Sequence, residues 1–135
     1  MTREELEALI DQAAAEGWKE LDLSGKGLTE LPASIGKLTQ LETLILGKVE
    51  KWEWQQDGKP VPTLITNQLA TLPNELALLK NLQSLSLSGN PLKVIPEIVF
   101  RLQSLEVLRL LSVGLSEIPH SLIATSQKVL VAHEL

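Results

Sequence analysis

The sequence predicts an α/β chain: a solenoid of stacked repeats. A short parallel sheet lines its concave side, irregular or 3-10 turns line its convex side, and a helix closes its N-terminal end. Two observations carry this. Blocks of 23 residues recur from Trp18 to Gln127, and seven apolar slots sit at fixed places in each block. A third observation sets the one irregularity: an 18-residue stretch, 49–66, falls outside the repeat register. Self-similarity at such a period marks units that bury their apolar face only by stacking.

The first element is "TREELEALIDQAAAEG", residues 2–17. Thr2 and Glu5 have the spacing of a capping box. Leu6, Leu9, Ile10 and Ala13 make one apolar face, and Gly17 suits a helix stop. Residues 1–17 are therefore expected to form an amphipathic capping helix over the first repeat. A membrane-surface helix is the alternative, and the acidic polar face argues against it.

The repeats occupy 18–40, 41–81, 82–104 and 105–127, with a partial closing strand at 128–135. The second copy comes into register only when Val49 to Thr66 is removed. Block positions 1, 4, 6, 11, 14, 18 and 21 are then apolar in 27 of 28 cases, and Thr125 is the exception. Composition alone does not produce so regular a pattern. Pro32, Pro73, Pro96 and Pro119 follow position 14 in every copy.

Within one copy, "ELDLS" or "SLSLS" alternates with period two and reads as a short strand with leucines on one face. "GKGL" or "GNPL" turns the chain. Proline lacks the N–H that a sheet needs, so "LP" ends the pairing. "PASIGKL" and "PEIVFRL" then return the chain in a loose helical turn. The tail "KVLVAHEL" reads as a closing strand or as the point where a longer chain continues.

The pattern "LxxLxLxxNxLxxLPxxIxxL" resembles the leucine-rich-repeat family in its bacterial 23-residue form. More narrowly, "EGWKELDLSGKGLTELPASIGKLTQLETLILGK" resembles the N-terminal repeats of cyanobacterial and other bacterial Roco-type proteins. The resemblance implies a protein-binding module placed ahead of a Ras-like GTPase domain. One departure stands out. The asparagine slot at position 9 holds Lys26, Asn67, Asn90 and Val113, so a side-chain ladder along the turn is expected to break at both ends.

The interrupting stretch holds Trp52 and Trp54, two of the chain's three tryptophans, together with Pro60 and Pro62. Asp57-Gly58 suits a two-residue hairpin turn. Residues two apart on a strand share a face, and prolines suit an edge strand. An imperfect β-hairpin follows. Its tryptophans either fold back and pack on the solenoid or project as a recognition finger.

Between the inward leucines, three columns should face outward across the repeats. They are Glu20, Thr43, Ser84, Val107; Asp22, Ile45, Ser86, Arg109; and Ser24, Gly47, Ser88, Leu111. One end is acidic, the middle is small and polar, and the other end is apolar with a cation. The candidate partner-binding residues are Trp52, Trp54, Glu20, Asp22, Ile45, Ser86, Val107, Arg109 and Leu111.

Other chemistry finds little support. There are 12 Lys and Arg against 17 Asp and Glu, and no basic run, so no nucleic-acid footprint is expected. There is no cysteine, no signal-peptide pattern and no apolar run long enough for a membrane span. A cytoplasmic location is the expectation. His120 and His133 lack metal-ligand spacing, and no GxxxxGK[ST] phosphate loop is present, so a GTPase activity would lie outside this sequence. No cofactor, metal or catalytic group is expected. The reading is a non-enzymatic module for a protein or peptide partner, of open oligomeric state. The alternatives are the recognition portion of a multidomain enzyme, such as a Roco-type GTPase or a bacterial ligase effector, and a structural, self-associating repeat.

Overall fold

The structure is a computed structural model that describes residues 1–111 and 113, and the backbone of a strand at 130–134. The expected Pro119 turn and the fourth return lie outside the described residues.

Helix α1 spans Arg3–Glu16. Its start is fixed as the sequence implies: Glu5 N donates to Thr2 Oγ1 at 3.1 Å, and Thr2 N donates to Glu5 Oε1 at 3.1 Å. Gly17, at φ 66°, ends it in a left-handed conformation that glycine adopts without strain. Leu6, Ile10 and Ala13 face the first repeat and join the core. The Arg3–Glu30 and Lys37–Asp11 pairs, at 3.0 and 3.1 Å, tie the exposed flanks of the helix to that repeat.

Five short strands make one parallel sheet in the order β1 (Glu20–Asp22), β2 (Thr43–Ile45), β5 (Ser84–Ser86), β6 (Val107–Leu111) and β7 (Leu130–Glu134). The closing strand thus pairs in parallel with β6, Val107 opposite Leu130. Leu21, Leu44, Leu85 and Leu108 lie in one register and are buried. The core is almost wholly aliphatic, as a chain with one Phe and no Tyr requires.

Each described return is a 3-10 turn: Ala33–Lys37, Asn74–Leu78 and Glu97–Arg101. The recurrent proline opens all three. The carbonyls of Pro32, Pro73 and Pro96 accept from Ile35, Leu76 and Val99, each at 3.1 Å. Proline suits this position because its fixed φ starts a turn and its missing N–H would have no partner there.

The asparagine ladder is shorter than in a full set but fully bonded. Asn67 Oδ1 accepts from Lys26 N and Leu28 N, and its Nδ2 donates to Leu23 O and Leu46 O, at 2.8–3.1 Å. Asn90 bonds Leu69 N, Leu46 O and Leu87 O in the same way. Lys26 needs no asparagine of its own, because the next repeat supplies one.

The interrupting stretch forms a separate antiparallel pair, β3 (Lys48–Trp54) and β4 (Pro60–Ile65). Its turn differs from the two-residue type the sequence suggests. Gly58 N donates to Gln55 O at 3.0 Å, and Gln55 N donates to Lys59 O at 2.9 Å. Only Gly58 takes a positive φ, of 83°, and Asp57 instead accepts from Lys59 N at 2.9 Å. This is a three-residue loop with a glycine bulge. The Asp57 side chain stabilises it without entering the left-handed region.

Candidate functional site

Trp52 and Trp54 project from the hairpin. Trp52 is 50 % exposed and Trp54 is 75 % exposed, which excludes the alternative in which they fold back onto the repeats. Trp52 lies opposite Pro62 and Trp54 opposite Pro60, so two indoles and two pyrrolidines share one face. Lys51, Glu53, Val61 and Thr63 share the other face. Val61 is exposed as well, which the sequence reading did not single out.

The root of the hairpin is anchored. Lys48 Nζ lies 2.6 Å from Asp22 Oδ2, and Asp22 Oδ1 accepts from Ser24 N at 2.9 Å. Partial burial pushes the Asp22 carboxyl up. The Lys48 ammonium and the Ser24 bonds outweigh that effect and hold its pKa below the ordinary value. Asp22 is thus engaged within the chain, while Glu20 beside it is exposed.

The returning end of the hairpin covers the small residues of the sheet. Gly25 N donates to Thr66 O at 3.1 Å, and Thr66 Oγ1 donates to Ser88 O at 2.8 Å. A Cβ on Gly47 would overlap the Ser88 carbonyl, and one on Gly89 would come within 2.9 Å of Thr66. Small side chains in this column leave room for a crossing segment, and that segment is Ile65–Thr66 of the same chain. Ser86 departs from its expected place on the open face. It is buried, and its hydroxyl donates to Gly47 O. Ser24 and Ser88 are buried too.

The remaining candidates keep their columns. Glu20 pairs with Thr43, Thr43 with Ser84, and Ser84 with Val107. Asp22, Ile45, Ser86 and Arg109 form the next line. Arg109 is exposed, while Ile45, Val107 and Leu111 are half-buried. The open face thus presents Glu20 near one end and Arg109 near the other, with the hairpin leaving the chain at Lys48, just past β2. Among the described residues there is no cluster of metal-ligating side chains, and no helix is long and apolar enough to cross a membrane.

The chain is similar to several known proteins. The Leucine Rich Repeat family profile matches residues 81–102, which lie almost wholly in the third copy. The third copy thus matches a leucine-rich repeat, and the chain resembles leucine-rich-repeat proteins. It also resembles Roco-type proteins: it is 37 % identical over 105 residues to a Roc-COR-CHAT protease from an unknown prokaryotic organism. That match covers 73 % of this chain but only 10 % of the relative, so the leucine-rich-repeat chain spans about a tenth of that protein's length. A leucine-rich-repeat protein of Leptospira interrogans aligns at 23 % identity and a TM-score of 0.40, over 90 % of this chain and 38 % of that one. Leucine-rich-repeat domains are in general non-catalytic modules that bind proteins.

Proposed function

We propose that this leucine-rich-repeat protein binds a protein or peptide partner through its concave sheet face and the tryptophan-bearing hairpin, with no catalysis of its own. The observation that carries the reading is the exposure of Trp52 and Trp54 on one face of a hairpin whose root is fixed to the repeats. Each indole can bury roughly 150–250 Å² in a contact. Two of them on the hairpin supply apolar anchors, and the charged Glu20 and Arg109 on the sheet face add polar contacts, the usual mixture of a protein interface.

The test is selection of peptides from a displayed random library on the intact chain, followed by affinity measurement on Trp52→Ala/Trp54→Ala. Loss of about 2 kcal/mol or more, roughly thirtyfold, at an unchanged melting temperature supports the reading. Selected peptides that bind the double variant as well as the wild type would sink it.

A second reading is favoured by the relative, whose name joins Roc-COR and protease and whose length is about ten times the matched region. In it, this domain is the recognition portion of a larger enzyme. The reading frame beyond Leu135 decides: a phosphate loop or a protease domain downstream supports this reading, and an immediate stop codon removes it.

A further inference from the structure

The hairpin has two edges of unequal chemistry. Gln55 and Lys59 form a hydrogen-bonded pair next to the turn. Bonded and non-bonded pairs alternate along an antiparallel ladder. Glu53–Val61 and Lys51–Thr63 are therefore bonded pairs, and Trp54–Pro60 and Trp52–Pro62 are not. At the non-bonded positions the main chain faces outward. On β4 those positions are Pro60 and Pro62, which have no N–H, so that edge offers only acceptors and resists strand addition. On β3 they are Trp52 and Trp54, each with an outward N–H and C=O. Neither takes part in a described main-chain bond outside the hairpin, and no other described strand joins this two-stranded sheet. Residues 50–61 are exposed throughout.

We infer that the free edge of β3 pairs with the same edge of a second copy of this chain, antiparallel about a two-fold axis at Trp52, giving a four-stranded sheet. The choice of a second copy rests on charge. With the axis at Trp52, Lys51 lies opposite Glu53 of the partner subunit, and Glu53 opposite Lys51 of the partner subunit. These become non-bonded positions of the new ladder, where facing side chains are closest. An axis at Lys51 would set lysine against lysine, and one at Glu53 would set glutamate against glutamate. An axis at Trp54 would leave Glu53 facing Gln55. Only the register at Trp52 is self-complementary, and an isologous interface requires that property. Within the single chain, Lys51 Nζ and Glu53 Oε1 already lie 2.9 Å apart, so the charges are placed to exchange partners.

The pairing sets the two Trp52 side chains opposite one another with each Trp54 on a diagonal. The indoles of both copies then cluster about the axis, with Glu50 of each copy at the margin of the cluster, opposite Trp54 of the partner subunit. The inference rests on the reading of the hairpin as a contact element and extends it: the partner-binding surface is shared by two subunits.

Sedimentation equilibrium of the full chain without any peptide tests it. The wild type should show a concentration-dependent dimer. Lys51→Glu and Glu53→Lys should each raise the dissociation constant by about tenfold or more, since two attractive pairs become repulsive. Both side chains are more than half exposed, so each variant should melt as the wild type does. An equimolar mixture of the two variants should recover the wild-type constant, as should the Lys51→Glu/Glu53→Lys double variant, because both arrangements restore opposite charges. A wild type still monomeric at about 1 mM overturns the inference, as does a dimer indifferent to the single charge changes or not recovered by mixing. Peptide binding measured on a monomeric chain would leave the proposed function standing while removing the dimer.

Discussion

Asn67 shows how one side chain holds two repeats together. It is buried among leucines, yet all four of its bonding positions are filled by backbone groups of the first and second copies. Removing it leaves donors and acceptors without partners in an apolar interior, at roughly 1–3 kcal/mol for each group that water cannot reach. Asn67→Ala should therefore lower the urea midpoint strongly, with a loss of about 3 kcal/mol or more. A loss below that of a typical surface change would mean that water enters the turn and substitutes for the amide. Asp22 has a smaller and pH-dependent effect. Its folded pKa lies below the unfolded value, so its stabilisation is present above the unfolded pKa and is lost as pH falls through the folded one. The pair is partly exposed, which limits it to about 1 kcal/mol or less. Asp22→Asn should be slightly less stable than wild type at neutral pH, and the gap should close in acid. A gap that widens in acid would contradict the assigned sign.

The elements divide into those the repeat requires and one that it carries. Helix α1 covers the first repeat with Leu6, Ile10 and Ala13, and deleting residues 1–16 uncovers the apolar end of that repeat. Exposed ends of stacked repeats associate, so the truncated chain should aggregate on light scattering. A monomeric truncation as stable as the full chain would give the helix another role. The hairpin has two parts with different duties. Its tip, 50–63, touches little besides itself, while Ile65 and Thr66 lie across Gly25, Gly47 and Ser88. Replacing residues 50–63 with a short Gly/Ser link should leave the melting temperature nearly unchanged, whereas removing 49–66 should lower it clearly. Equal melting of the two deletions would mean that the Thr66 contacts contribute nothing. The repeat register locates the interruption in the sequence, but it does not show that the end of the interruption is structural. Aligning the copies requires setting 49–66 aside, and with it go the Thr66 bonds to Gly25 and Ser88. Ser86 reads as an open-face contact because it alternates with the inward leucines, whereas in the fold its hydroxyl turns to Gly47 O and it is buried. Trp52 and Trp54 share a face in either reading, since strand parity follows from spacing. Their exposure depends on where the hairpin points, which residue spacing does not determine.

For the whole molecule, the legible part is what repeats. Leu21, Leu44, Leu85 and Leu108 recur at one block position and meet in one sheet register, so period alone identifies them as core. The same repetition makes each copy dependent on its neighbours. Leu85 sits in β5, third of the five strands, with β2 on one side and β6 on the other. It is fully buried, and Leu85→Ala should cost about 2–5 kcal/mol through lost burial and the cavity left behind. The Asn67 and Asn90 bonds and the continuous leucine stack couple the copies on both sides of it. The loss should therefore appear far from the substitution. In amide hydrogen exchange, β1 and β6 should lose protection by similar factors, the outcome expected of a stack that opens as one cooperative unit. Lys93→Ala serves as the control. Lys93 is exposed and holds φ 61°, a strained value that alanine shares, so the change neither creates a cavity nor relieves the backbone. Its exchange pattern should match the wild type. If Leu85→Ala weakens protection only in β5 and its immediate neighbours while β1 keeps the wild-type rate, the stack opens copy by copy, and stability belongs to individual interfaces rather than to the whole chain.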